Sequence, residues 1–372
     1  MNDPSCDHDE EQGPKIEQAP SESDMVAAVI HYLAAGSGLA KCPSSFKQRQ
    51  QDAWSHPFPG KCLAPRSRRP QLRGDFTMHP WQALILGVIE GITEYLPVSS
   101  TGHLIVAQRL MGIGTGSLES KAAADAFAVC IQGGAILAVL GLYWKHVLQM
   151  MLGVLGKNPA GLRMAINIIV GFLPAAILGI LLNHWIKAHL FGMWPVVIAW
   201  IVGGIGILAV TQWNKRNAPR SGGAELSELT IKMAFIIGLL QCVAMCPGTS
   251  RSLMTICGGL LVGLSIRAAV EYSFLLGVVT LTAATAKDAI DKVPDLEKYN
   301  VLFGGTQLMF DQYGLLPMAI GVIAAAVSAA LAVKWLVSYL QSHGLAGFGW
   351  YRIAIGLVVG SLIVSGVISA EI

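Results

Sequence analysis

Charge is scarce in this sequence. Asp, Glu, Lys and Arg make up 13% of its 372 residues, against about 25% in an ordinary soluble domain, and 53% of the residues are hydrophobic. Such a shortage excludes a soluble globular fold and points to the membrane. A net charge of +3 also excludes the basic excess of a nucleic-acid-binding protein. Cysteine has no metal-ligand pattern. Cys6, Cys42 and Cys62 fall in a polar tail, and Cys130, Cys242, Cys246 and Cys257 fall in apolar segments, where a free thiol packs as a small hydrophobe. Acidic rather than basic residues precede the short apolar patch "MVAAVIHYLAAG", which argues against a secretory signal.

Apolar runs and glycine are plentiful; the 41 glycines suit helices packed closely in lipid. Six stretches, near 122–142, 164–183, 193–212, 269–287, 315–339 and 348–369, reach the length of about 20 residues that a spanning helix needs. Two further apolar regions, 81–113 and 229–266, are broken midway by "LPVSSTG" and "CPGTSRS". Pro, Gly and Ser clusters end helices, so each region reads as a re-entrant hairpin whose tip is buried in protein. Setting Glu90 over Gln241 places Ser99 over Ser250 and Ser100 over Arg251. Three spans follow each hairpin, and because three is odd the second copy enters the membrane from the opposite side. The expected fold is an all-α polytopic membrane protein: six spanning helices plus two re-entrant helical hairpins in an inverted-topology repeat, with halves at about 81–213 and 229–369.

Residues 1–77, rich in Ser, Pro, Gln and charge, read as a disordered polar extension to an integral membrane domain over 78–372. Met78 is the expected native start, which mass spectrometry of the amino terminus checks. Lys145, Lys157, Arg163, Lys215, Arg216 and Arg220 fall on one side of the spans, with Arg267 and Lys334 near span ends. Lys121, Lys187, Lys287, Lys292 and Lys298 fall on the other, the last three among Asp288, Asp291, Asp295 and Glu297. The first side is therefore expected to be cytoplasmic. Trp144, Trp185, Trp194, Trp213 and Trp350 sit at span ends, as interfacial anchors do.

The chemistry-bearing residues gather at the two breaks. Glu90 and Glu94 are spaced i, i+4, on one helix face, and an acid at bilayer centre costs about 2.5 to 3.5 kcal/mol unless something compensates it. A pair of carboxylates suits Mg2+ or Ca2+, whose ligands are oxygens; the plainer alternative is two acids snorkelling to the interface. Past Pro97, "SSTGH" offers the hydroxyls of Ser99, Ser100 and Thr101 and the imidazole of His103. Ser100 and His103, i, i+3, can serve as nucleophile and base if the segment is helical; Ser99 or Ser100 as a helix N-cap is the plainer alternative. "PGTSRSLMT" sets Arg251 among Ser250, Ser252 and Thr255 where a helix begins, a combination suited to phosphate oxygens. A structural pair of Arg251 with Glu90 or Glu94 is the alternative there. Gln132, Glu271, Tyr351 and Arg352 are expected to be interhelical hydrogen-bond partners, with Glu271 and Arg352 as a pair.

"EGITEYLPVSSTGH" and "PGTSRSLMT" closely resemble the two signature segments of the undecaprenyl-pyrophosphate phosphatase family, the bacterial bacitracin-resistance phosphatases. The similarity runs on through "IQGGAILAVL", "EYSFLLGV" and "YRIAIG" and covers roughly residues 80–369. It implies an enzyme of the bacterial inner membrane that removes one phosphate from undecaprenyl pyrophosphate. That reaction recycles the lipid carrier for peptidoglycan and confers bacitracin resistance. A site facing the periplasm and dependence on a divalent cation, Mg2+ or Ca2+, come with the resemblance; a homodimer is a candidate assembly that the sequence leaves open. By position, Glu90 and Glu94 are the paired acids and metal ligands, and Ser100 and His103 the catalytic serine and histidine. Arg251 acts in catalysis and, with Ser99, Ser250, Ser252 and Thr255, in phosphate binding. Leu253 stands where the family commonly has Gly, and a bulky side chain there is expected to narrow the cradle or alter its turn. Gly133 and Val279 replace a usual Leu and a frequent Pro. The rival reading is a lipid flippase or transporter, since inverted repeats with broken helices also build transporters. Transport alone has no need of a nucleophile with a base. A non-catalytic scaffold gives no reason to bury so many polar groups.

Overall fold

A computed structural model describes residues 78–190, 192–217 and 222–369, without the side chains of 183–185, 187–189 and 217. The readings of residues 1–77 and of the Trp185, Lys187 and Arg220 side chains lie outside the described residues.

Among the described residues there are twelve α-helices and no strand: α1 Pro80–Tyr95, α2 Ser100–Leu110, α3 Leu118–Leu142, α4 Trp144–Val154, α5 Pro159–His189, α6 Met193–Asn217, α7 Ile231–Val243, α8 Arg251–Leu261, α9 Ile266–Ile290, α10 Gly304–Tyr313, α11 Leu315–His343 and α12 Ala346–Val364. Six of them, α3, α5, α6, α9, α11 and α12, are long and apolar enough to cross a membrane. These are the six expected spans, and the chain is a polytopic membrane protein. Several begin earlier than hydropathy suggests because the capping residue lies outside the apolar run. The Ser117 hydroxyl accepts from the Ser120 amide, the Asn158 side chain from Gly161 just ahead of Pro159, and the Ser265 hydroxyl from Ala268; each satisfies an amide that the first turn leaves without a partner. Large apolar side chains such as Ile180, Ile323 and Leu331 lie well exposed, as a lipid-facing belt requires.

Both broken regions fold as helix, break, helix. At 16 and 13 residues α1 and α7 are shorter than a full crossing, and α2 and α8 are 11 residues each. The halves then repeat element by element, α1 to α6 matching α7 to α12. They are also interlocked, because α1 packs on α11 of the second half while α7 packs on α5 of the first. The backbones meet at equivalent glycines. A Cβ on Gly87 would overlap the Gly321 carbonyl, and one on Gly238 would overlap that of Gly171. Close approach of small residues is how helices gain packing energy in lipid, where burial between apolar surfaces offers little. The self-matched pairs α3 with α9 and α6 with α12 close the bundle, with the two breaks inside it.

Candidate active site

The two breaks share a backbone device. Ser99 and Ser250, the aligned residues, have φ of 73° and 77°, a region that a residue with a side chain enters at a cost of about 1 to 3 kcal/mol. Each is the N-cap of the helix that follows. The turn carries the chain sharply from one helix into the next and aims the next residue, Ser100 in one half and Arg251 in the other, back toward the first helix.

Those two side chains converge on one carboxylate. Ser100 Oγ donates to Glu94 Oε2 at 2.5 Å, and Arg251 Nη2 donates to Glu94 Oε1 at 3.2 Å. The second guanidinium nitrogen, Nη1, donates to the Ser273 carbonyl of α9 at 2.9 Å, and the guanidinium lies over the Tyr95 ring, 5.4 Å from its centroid. A Cβ on Gly277 would overlap this guanidinium, so α9 carries glycine where Arg251 lies against it. Burying a carboxylate and a guanidinium costs several kcal/mol per ion, repaid only by close pairing and further hydrogen bonds; Glu94 has both, and Arg251 has them at its two terminal nitrogens while its Nε is buried without an acceptor.

Glu90 lies one turn back along α1, 1% exposed, and its Oε2 has no hydrogen-bond partner. Glu94, Ser99, Ser100, Ser250 and Arg251 line a single cavity of about 570 Å3, so residues from both halves face one space. The cavity also reaches Lys287 and Asp288 near the end of α9. Ser252 and Thr255 stand behind the cradle and do not line it. Ser252 Oγ donates to the Leu96 carbonyl of the opposite break at 2.8 Å, and the Thr255 hydroxyl is engaged with the Arg251 carbonyl at 3.0 Å and the Ser273 hydroxyl at 2.6 Å. They brace the turn that carries Arg251.

His103 makes no hydrogen bond to Ser100. Its Nδ1 is 2.7 Å from the Ser99 carbonyl, which can only accept, so Nδ1 donates. Its Nε2 is 2.8 Å from the Tyr351 hydroxyl, and the ring is stacked on Tyr351 and tilted against Trp200. The imidazole therefore holds the strained Ser99 carbonyl and faces α6 and α12 rather than the cavity.

The expected pair of Glu271 and Arg352 does not form. Glu271 takes the side chain of Arg267, four residues before it, at 3.0 Å. Arg352, 0% exposed, instead donates to the Pro97 carbonyl at 3.3 Å, the Gly248 carbonyl at 2.9 Å and the Ala199 carbonyl at 2.8 Å. Pro97 and Gly248 are equivalent in the repeat, so one guanidinium clamps the same carbonyl of both breaks. Trp200 adds a bond from its ring nitrogen to the Val98 carbonyl at 2.9 Å. A helix break frees carbonyls that lipid cannot satisfy, and these served as acceptors in place of a carboxylate. That need was legible in the sequence; Trp200 left no such signal. Gln132 is an interhelical partner as expected, accepting from Thr285 of α9 at 2.9 Å. Leu253 does not narrow the cradle: it is buried in the core and borders an apolar groove on the other side of α8.

The model of the family described as bacitracin resistance protein BacA matches residues 83–358. The chain belongs to that family. It is similar to Undecaprenyl-diphosphatase 2 of Rhodospirillum rubrum, 43% identical over 288 residues that cover 77% of this chain and 96% of the relative. Undecaprenyl-diphosphatase of Acidovorax ebreus is 42% identical over 75% of this chain and 93% of its own length, and Undecaprenyl-diphosphatase 2 of Shewanella oneidensis 42% identical over 76% and 97%. The matched segment of this family member contains both breaks and every residue that lines the shared cavity.

Proposed function

We propose that this protein is an integral membrane phosphatase that hydrolyses undecaprenyl pyrophosphate to undecaprenyl phosphate and inorganic phosphate. In that role it recycles the lipid carrier for peptidoglycan synthesis and confers bacitracin resistance. One observation carries the reading: the Glu94 carboxylate joins a hydroxyl of its own half to a guanidinium of the other at the wall of a single cavity. The names of the similar proteins support the same substrate.

Arg251, the Ser99 hydroxyl and the first amides of α2 and α8 are the donors for the diphosphate oxygens, and the Ser250 hydroxyl joins them by giving up its bond to Ser252 Oγ at 3.0 Å. The resting pair of Arg251 with Glu94 opens as the diphosphate takes over the guanidinium. Charge spreading over the transferred phosphoryl is then met by a fixed cation, the main aid that phosphoryl transfer needs. Glu90 and Glu94 would hold a divalent cation, Mg2+ or Ca2+. The fit rests on the partnerless Oε2 of Glu90, which does not itself line the cavity, and on one or two carboxylates with substrate phosphates being a usual Mg2+ ligand set. Once bound, the cation supplies further neutralisation of phosphate charge.

Ser100 Oγ is the nucleophile this arrangement favours. Its oxygen bonds to the terminal phosphorus, the bridging P–O bond breaks, and the prenyl monophosphate leaves with the electron pair while the Ser100 proton passes to Glu94. Water then cleaves the phosphoserine. Direct attack by water with Glu94 as base, and a role for His103 as base or nucleophile, are the competing routes. A trapped, labelled phosphoenzyme and the position of its label discriminate them.

Purified full-length protein in detergent is expected to release phosphate from farnesyl pyrophosphate with Mg2+ or Ca2+ and to stop on chelation. Wild-type protein that releases none, yet moves prenyl phosphate across a vesicle bilayer, would make it a transporter. The same reading takes the broken helix pairs as re-entrant hairpins of inverted topology in the bacterial inner membrane, with the cavity open to the periplasm. Its support is that the cavity reaches Lys287 and Asp288, on the side poorer in unopposed basic residues. A membrane-impermeant thiol reagent applied to intact cells should label Lys287→Cys and spare Lys157→Cys; the reverse pattern would overturn the orientation. The homodimer belongs to this proposal too, and light scattering of the solubilised protein measures it.

A further inference from the structure

We propose that Gln241 is a binding residue for the diphosphate, donating its carboxamide N–H groups to an oxygen of the headgroup. This deepens the phosphatase reading and rests on it. Gln241 lies in the last turn of α7, is 2% exposed and lines the shared cavity together with Arg251. Its Oε1 lies 3.4 Å from the Thr280 hydroxyl of α9, whose single proton is held more closely by the Leu276 carbonyl at 2.9 Å. Its Nε2 is buried and has no hydrogen-bond partner. A buried amide nitrogen without an acceptor is costly, and a cost kept at the wall of a cavity is explained by an acceptor that arrives and leaves with the ligand.

The chemistry of that acceptor follows from the neighbours. The cavity also holds a guanidinium and the turn that opens α8, which together suit an anion. A carboxamide adds neutral donors, so it strengthens the grip without competing for the charge of Glu94. The repeat explains why the residue is glutamine. Gln241 occupies the position of Glu90, and Met245 that of Glu94. Exchanging carboxylates for an amide and a thioether turns the cation-holding face of one half into the anion-holding face of the other. A diphosphate together with its counter-cation needs one of each.

The test uses full-length protein in detergent and methylenediphosphonate, a diphosphate that cannot be hydrolysed, as the probe in calorimetric titration with Ca2+ present. A hydrogen bond to a charged acceptor is lost in Gln241→Met, and Kd is expected to rise about tenfold. In Gln241→Glu a carboxylate faces the anion, and a rise of about 100-fold is expected. With farnesyl pyrophosphate the Gln241→Met change should appear mainly in KM, with kcat little altered. Equal Kd in wild type and both variants overturns the proposal, as does a lower Tm with unchanged Kd, the signature of a purely structural glutamine. If neither variant folds, Gln241→Asn keeps the amide but withdraws it from the headgroup by one carbon, and an unchanged Kd there is equally fatal. A wild type that neither binds the probe nor releases phosphate defeats the phosphatase reading itself, a result distinct from tight wild-type binding that Gln241 variants leave intact.

Discussion

Replacing Arg251 with alanine is expected to lower kcat/KM for prenyl pyrophosphate hydrolysis by about 1,000-fold or more, the range seen when an arginine that faces a transferring phosphoryl is lost. Its guanidinium touches Glu94 with one nitrogen and the Ser273 carbonyl with the other, and that two-point hold keeps the fork in register with the cavity. Lysine keeps the charge but is a single point. It can meet one partner and not both, so Arg251→Lys should recover only part of the activity. Alanine also leaves the Glu94 carboxylate buried without a cation, and removing one partner of a buried pair is strongly destabilising, so Tm should fall as well. Arg251→Ala combined with Glu94→Gln removes both charges and should restore Tm without restoring turnover. Phosphate release and thermal unfolding of the three variants check this. Arg251→Ala within tenfold of wild type would remove the guanidinium from the chemistry.

Arg352→Met should show the opposite division: a Tm within a few degrees of wild type and a kcat/KM lower by about 100-fold. Arg352 is a fully buried cation with no ion-pair partner among the described residues, held by three carbonyls. Methionine fills similar space and relieves several kcal/mol of desolvation of the charge. It also takes a donor from three carbonyls at about 1 to 3 kcal/mol each. The two terms are of the same size and nearly cancel. Geometry does not cancel, because two of the carbonyls belong to opposite breaks and the guanidinium ties them together, alongside the bond from Ser252 to Leu96. A displacement of about 1 Å between Ser100 and Arg251 is enough for a 100-fold loss. A variant that unfolds, or one that turns over normally, would show that Arg352 serves stability alone or that the breaks hold register without it.

Much of this was legible along the chain. The six spans follow from apolar length, the breaks at Pro97 and Pro247 from residues that cannot continue a helix, and the register of the repeat from Ser99 over Ser250, which share the same left-handed turn. The meeting of Glu94 with Arg251 could be posed as a question, since an acid and a base both set in apolar surroundings require compensation, but not answered. Serine and histidine three apart on a helix suggested a couple. The structure instead gives Ser100 to Glu94 and His103 to Ser99 and Tyr351. Complementary charge suggested Glu271 for Arg352, and the freed carbonyls of the breaks took it instead.

By itself, then, the sequence determined the solvent, the spans, the points where helices must stop and which residue types lie at those points. These are local matters, set by the transfer cost of each segment and by the torsions its residues allow. Tertiary structure decided the partnerships. A helix presents several polar groups around its circumference, and the rotation at which its glycines let it dock on α5 or α11 selects which of them face the cavity and which face a carbonyl.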